Sequence, residues 1–241
     1  MENRGARLLL ELAIGFVLLG IILLPRWFPR DAAPARTPAA ARPPIEHIVL
    51  VVLPRGPAVE MEVREFAKRG VLLANSHALT HPALPNRIAL VAGSAWGVHA
   101  ETTPPLAVKH LGDLLDAKHL AWRVCAADPA LSPFAYFAKN PKPPSECADA
   151  VGAFAFTYVA ATSIPRFTLP PRTLMIVTID EGRGDTNDIV TAIAGDGVKA
   201  GATSRGWYDH YSVLRTIEEL LRLGTLTAHD AKADVIDDLW R

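Results

Sequence analysis

Two adjacent carboxylates, Asp180 and Glu181, follow directly on an apolar run, Thr173–Ile179 (TLMIVTI). Such a pair at the end of a buried strand is costly unless a cation or hydrogen-bond donors balance it. Hard metal ions take carboxylate oxygens and imidazole nitrogens, so the pair is a candidate cation site. A solvated loop pair is the alternative. His210 stands before an amphipathic stretch, as a potential ligand or simply as the neighbour of a helix cap. Asn86 stands near the start of an apolar helix, where its amide can cap. The sequence has no Gly-rich phosphate loop and no G-x-S-x-G elbow; Ser94 follows Gly93 without the rest of that motif.

These groups need a scaffold. Glu46–Leu53 (EHIVLVVL) is an apolar, β-branched run suited to a strand buried on both faces. The pattern predicts helices over 58–69, from about Pro85 and Asn86 through Val91, over 106–117 and over 211–223, three of them followed by a glycine stop at Gly70, Gly93 or Gly224. It predicts further strands at 71–74, 120–126, 173–179 and 188–194. Strands alternating with helices imply an α/β domain with a mostly parallel sheet flanked by helices. Ligands of such sheets sit beyond the carboxyl ends of the strands, which directs attention to the segments after Leu53 and Ile179.

The chain carries no net charge over 241 residues, which argues against nucleic-acid binding by bulk electrostatics. The first 42 residues differ from the rest, with six arginines against three acidic residues. Leu8–Leu24 is apolar on every face apart from Glu11. At about 1.5 Å per residue it spans roughly 25 Å, slightly less than a hydrocarbon core. Arg4 and Arg7 precede it, and the Ala-rich stretch near Ala39–Ala41 lies well past it. The expectation is therefore a signal anchor or transmembrane helix over 1–25, a Pro/Ala-rich linker over 26–44, and an extracytoplasmic domain over 45–241. Cys125 and Cys147 flank a proline-rich stretch. In an exported domain they would close one disulfide loop of about 20 residues, worth ~3 kcal/mol; two free buried thiols are the alternative.

Three segments, Thr80–Gly93 (THPALPNRIALVAG), Thr173–Gly182 (TLMIVTIDEG) and Tyr208–Leu221 (YDHYSVLRTIEELL), follow the first strand in order. With Gly195–Gly201 (GDGVKAG), they resemble the phosphoesterase family of the alkaline phosphatase superfamily, which includes bacterial acid phosphatases and phospholipase C-like enzymes. The resemblance implies a shortened alkaline phosphatase-like domain. It also implies metal-assisted displacement at phosphorus by a Ser or Thr at a helix N-terminus. It makes Asp180, Glu181 and His210 metal ligands and sets Asn86 against a phosphate oxygen. In the motif around His210, Asp209 replaces the family's Asn.

Other departures bear on activity. Where the family carries a metal-binding acidic residue and Asn after the first strand, this chain has Pro54 and Arg55. Arg55 has a permanent positive charge that opposes a metal, and in the vacated position it would hold an anion instead. The family pattern H-P-S-L-P-N becomes His81-Pro82-Ala83-Leu84-Pro85-Asn86, so the nucleophile position, Ala83, has no hydroxyl. Thr80, Ser76 and His81 are poorly placed substitutes. Residues 150–179 contain no Asp, Glu or His and read as a shortened bridge. The sequence therefore points to a membrane-anchored phosphoesterase-like protein with reduced or lost catalysis. It would bind a phosphate ester or other anion, with one divalent metal ion or none. A working phosphate-ester hydrolase with an altered metal site, and an extracytoplasmic interaction module, are the alternatives.

Overall fold

The aliphatic side chains of β1 (His47–Leu53) alternate between the two sides of a sheet. Ile48, Leu50 and Val52 enter one core, while Val49, Val51 and Leu53 enter the other. Six of its seven residues are buried. Covering each aliphatic side chain contributes about 2 kcal/mol, which is why so apolar a run settles in the middle of the sheet. In this computed structural model, residues 42–126, 128–139, 142 and 151–241 are described. The apolar run Leu8–Leu24, the linker up to residue 41, and Cys147 lie outside the described residues. Among the described residues, no helix is long and apolar enough to cross a membrane.

The remaining strands are β2 (Val71–His77), β3 (Trp122–Ala126), β4 (Phe156–Ala160), β5 (Thr173–Ile179), β6 (Asp188–Gly195) and β7 (Ala202–Asp209). They form one seven-stranded sheet in the order β3-β4-β1-β5-β6-β2-β7. The β3–β4, β4–β1, β1–β5 and β2–β7 pairings are parallel. β6 runs antiparallel to both of its neighbours, so the sheet is mixed, with a parallel majority.

The helices are α1 (Pro57–Ala67), α2 (Ala83–Ala92), α3 (Leu111–Ala117), α4 (His210–Leu220) and α5 (Ala228–Lys232). α1 packs Val63, Phe66 and Ala67 on one face of the sheet. α2, α3 and α4 cover the other with Leu84, Ile88, Leu111, Leu115, Val213 and Ile217. Gly93 takes a left-handed conformation (φ 68°) to stop α2, as its position predicts.

Several expectations need correcting. The helix expected over 106–117 is confined to 111–117. His110 caps its first turn by accepting from Gly112, Asp113 returns a bond to the His110 N–H, and Leu106 instead bridges to Phe137. α2 starts at Ala83, ahead of Pro85, because a proline within the first turn forfeits no intrahelical bond. The supposed bridge contains β4, buried along its whole length between β3 and β1. β7, interrupted by Gly206 and Arg205, carries no clean strand signal, yet it pairs with β2. Cys125 is disulfide-bonded.

Candidate functional site

Leu53 at the end of β1 lies opposite Ile179 at the end of β5, and the Asp180 N–H donates to the Leu53 carbonyl. Two parallel strands in this register release Pro54–Arg55 and Asp180–Glu181 side by side. The Arg55 guanidinium turns toward the acidic pair. Its Nη1 donates to the Gly182 carbonyl at 3.0 Å and lies 3.9 Å from Glu181 Oε1.

The 78–82 loop, after β2, reaches the same end of the sheet. Asn86 shapes it from within α2 by accepting from the N–H groups of Leu79 and Thr80 and donating to the carbonyls of Thr80 and Pro82. Its amide is fully buried and spent on this loop, so it does not face an anion as the resemblance implies. Asn187 ties the loop to the acidic segment: its amide donates to Thr80 O and its oxygen accepts from Gly182 N–H. This arrangement puts His81 Nδ1 2.5 Å from Glu181 Oε1 and Nε2 3.1 Å from the Gly184 carbonyl. Both partners accept, so the ring is held as a two-proton donor, and these bonds raise its pKa, Glu181 foremost.

Asp180 is buried and faces a buried arginine: Arg87 Nε lies 3.7 Å from Asp180 Oδ2. Burial pushes the Asp180 carboxyl up to about 6, with Arg87 pulling the other way. The Arg87 guanidinium also lies 3.1 Å from Glu101 Oε2 through Nη2 and donates to the Ala130 carbonyl at 3.5 Å. Among the described residues, Arg87 Nε and the fully buried Tyr158 hydroxyl have no hydrogen-bond partner. Burial raises the tyrosine pKa, Arg87 opposing and Asp180 adding to it.

His210 is fully buried at the start of α4, which Asp209 and Ser212 cap reciprocally. Its Nε2 donates to the Ile179 carbonyl at 3.0 Å, while Nδ1 has no hydrogen-bond partner among the described residues. Burial drives its pKa down to about 4, so the ring is neutral and pins α4 to the end of β5.

A divalent cation requires oxygen donors not already claimed by other positive charges. Glu181 is held by His81 and Arg55, and Asp180 faces Arg87, while His210, with Nε2–H on the Ile179 carbonyl, keeps its lone pair on the fully buried Nδ1. Among the described residues, no group of three or more His, Cys, Asp or Glu is gathered to hold a metal. Asp180 and Glu181 are therefore held by side-chain cations, and as placed they do not gather with His210 into a metal cage.

Ala83 occupies the first position of α2, a methyl group where the family pattern has a hydroxyl. The neighbouring nucleophiles are committed elsewhere. Thr80 Oγ1 donates to the His81 carbonyl, and Ser76 Oγ donates to Thr191 inside the sheet.

Sequence reasoning missed Arg87, Glu101 and Asn187, and the pairing of His81 with Glu181. Arg87 left one signal. It is the single charge in the helix ALPNRIALVA, whose other residues are apolar save Asn86, and a charge on a buried face needs a partner. A groove of about 890 Å³, lined by Phe66, Ile164, Phe167 and Met175 among others, contains none of the site residues.

No protein-family model matches the chain. An acid phosphatase from Aspergillus fumigatus is 37% identical over 67 residues, covering 27% of this chain and 15% of that enzyme, so the chain spans a small part of that relative. A phosphatidylinositol-3-phosphatase from Mycobacterium tuberculosis is 27% identical over 256 residues, covering 84% of this chain and 85% of that protein. The phosphonate monoester hydrolase SpPMH from Silicibacter pomeroyi matches with a TM-score of 0.56 at 10% identity, over 80% of this chain and 76% of that one. A protein of the alkaline phosphatase superfamily from Vibrio parahaemolyticus matches with a TM-score of 0.52 at 11% identity, over 79% of this chain and 71% of that one. The chain has the alkaline phosphatase superfamily fold. The resemblance read from the three segments holds at that level, and sequence and fold together relate the chain to the superfamily's phosphate-ester hydrolases. Within this fold, the ends of β1 and β5 and the start of α2 converge on one cluster of charges.

Proposed function

We propose that this chain is a non-hydrolysing relative of phosphate-ester hydrolases. It is an extracytoplasmic domain, tethered to a membrane through Leu8–Leu24, that recognises a phosphate ester or a similar oxyanion without cleaving it. The observation that carries this reading is Ala83 at the first position of α2. A covalent route needs a nucleophilic oxygen there, and losing a nucleophile costs several orders of magnitude in rate. The cluster of Arg55, His81 and Arg87 around Asp180 and Glu181 supports the same reading, because it supplies cationic groups for an anion while occupying the carboxylates. The disulfide-bonded Cys125 supports export, since such bonds persist in oxidising compartments.

The test is to incubate the full-length protein in detergent with an aryl phosphate and divalent ions, quench in denaturant at mildly alkaline pH, and measure the intact mass. The reading predicts an unmodified chain. A phosphoryl adduct that disappears in Thr80→Ala or His81→Ala would refute it.

A further inference from the structure

Glu101 lies in the connection after α2, with its side chain 53% exposed, yet its carboxylate reaches back to the start of that helix. Oε1 accepts from the Leu84 N–H at 3.3 Å, and Oε2 lies 3.1 Å from Arg87 Nη2. Leu84 is the second residue of α2, so its N–H has no partner within the helix. Pro82, the N-cap, contributes no side-chain bond, and the helix start carries partial positive charge. Arg87 is only 6% exposed; Asp180 lies 3.7 Å from its Nε, and the Ala130 carbonyl accepts from its Nη1. A helix N–H and a fixed guanidinium thus converge on the two oxygens of one carboxylate. Two oxygens of a phosphoryl group would meet the same donors.

We propose that Glu101 is a displaceable internal anion. Its carboxylate occupies an oxyanion seat made by the Leu84 N–H and the Arg87 guanidinium, and inorganic phosphate or a phosphate monoester binds by driving it out. This rests on the reading that the chain recognises a phosphate ester, and it adds the device that limits access. The two halves of the arrangement differ in mobility. Arg87 is locked in the core, whereas the Glu101 carboxylate is half in water and leaves at little desolvation cost. A tethered carboxylate competes at a high effective concentration, so the seat of the wild-type chain holds phosphate weakly. Ala83 adds no hydroxyl to the seat, so an anion lodged there meets donors and no nucleophile.

The test is equilibrium dialysis of inorganic phosphate against the full-length protein in detergent, with a chelator present. Glu101→Ala removes the competing carboxylate and is expected to raise phosphate affinity about tenfold. Glu101→Asp keeps the charge but shortens the reach, and it is expected to recover a large part of that gain. Adding Arg87→Gln to Glu101→Ala is expected to abolish the gain. Unchanged affinity in both Glu101 variants overturns the proposal. So does a gain in Glu101→Ala with none in Glu101→Asp, which would mark a long-range charge effect. The Glu101 variants alone decide the matter if the Arg87 change impairs folding. Aryl phosphate turnover in the same samples separates the two claims. Turnover by Glu101→Ala would sink the non-hydrolysing reading and leave the seat standing, whereas unchanged binding without turnover would sink the seat alone.

Discussion

Arg87 Nε lies 3.7 Å from Asp180 Oδ2, and both side chains are less than a tenth exposed. Two buried opposite charges stabilise each other mainly against the cost of being alone. Arg87→Met should therefore destabilise the domain by about 3 kcal/mol, because it strands a buried carboxylate. The loss should shrink at acidic pH, where Asp180 takes up a proton. Asp180→Leu combined with Arg87→Met should recover most of the stability. Urea unfolding of the wild type, Arg87→Met, Asp180→Leu and the double variant, compared as a cycle, checks this.

Tyr158 presents the opposite case, a buried hydroxyl beside that ion pair with no hydrogen-bond partner among the described residues. Removing such a group relieves a desolvation cost of about 1 kcal/mol. Tyr158→Phe should leave the melting temperature unchanged or raise it. A clear fall would mean that the hydroxyl holds a partner.

Glu218 predicts a pH dependence. Burial, followed by the charge of Asp230, pushes its pKa up to about 9 from an ordinary 4.5. Between those values the unfolded chain releases the proton and the folded chain keeps it, so stability falls as pH rises through this window. Glu218→Gln mimics the neutral acid and lacks that slope. It should be more stable than the wild type at pH near 8, with the advantage gone near pH 4, as measured by thermal melting across the range.

Gly182 sets the spacing of the acidic segment. A methyl group there would come 2.3 Å from the Asn187 carbonyl carbon, in backbone that cannot yield cheaply. Gly182→Ala should cost about 2 kcal/mol and loosen the hold of Asn187 on Gly182 and of Arg55 on its carbonyl. Hydrogen exchange at the Gly182 amide reads the local effect directly.

Much of the fold was legible where burial is continuous. β1 and β5 are uninterrupted apolar runs, and the end of β5 points to Asp180 and Glu181 without further help. β4 was hidden because its neighbours are prolines and small residues that read as a connection, and β7 because Gly206 and Arg205 break its pattern. Of the site, the positions of Arg55 and Ala83 could be read, but the partners could not. His81 and Glu181 are 100 residues apart, and only the packing of the 78–82 loop on the end of β5 joins them. Asn86 misled because an amide behind a helix start can serve a ligand or its own loop, and nothing in the sequence separates those roles.

Steady-state hydrolysis is the most direct measurement of whether this chain cleaves a phosphate ester. Full-length protein in detergent is supplied with an aryl phosphate and with manganese or zinc ions, beside Asp180→Asn under the same conditions. A chain with a methyl group at Ala83 and side-chain cations around its carboxylates should turn over no faster than that variant. Metal-stimulated turnover that Asp180→Asn abolishes would contradict it.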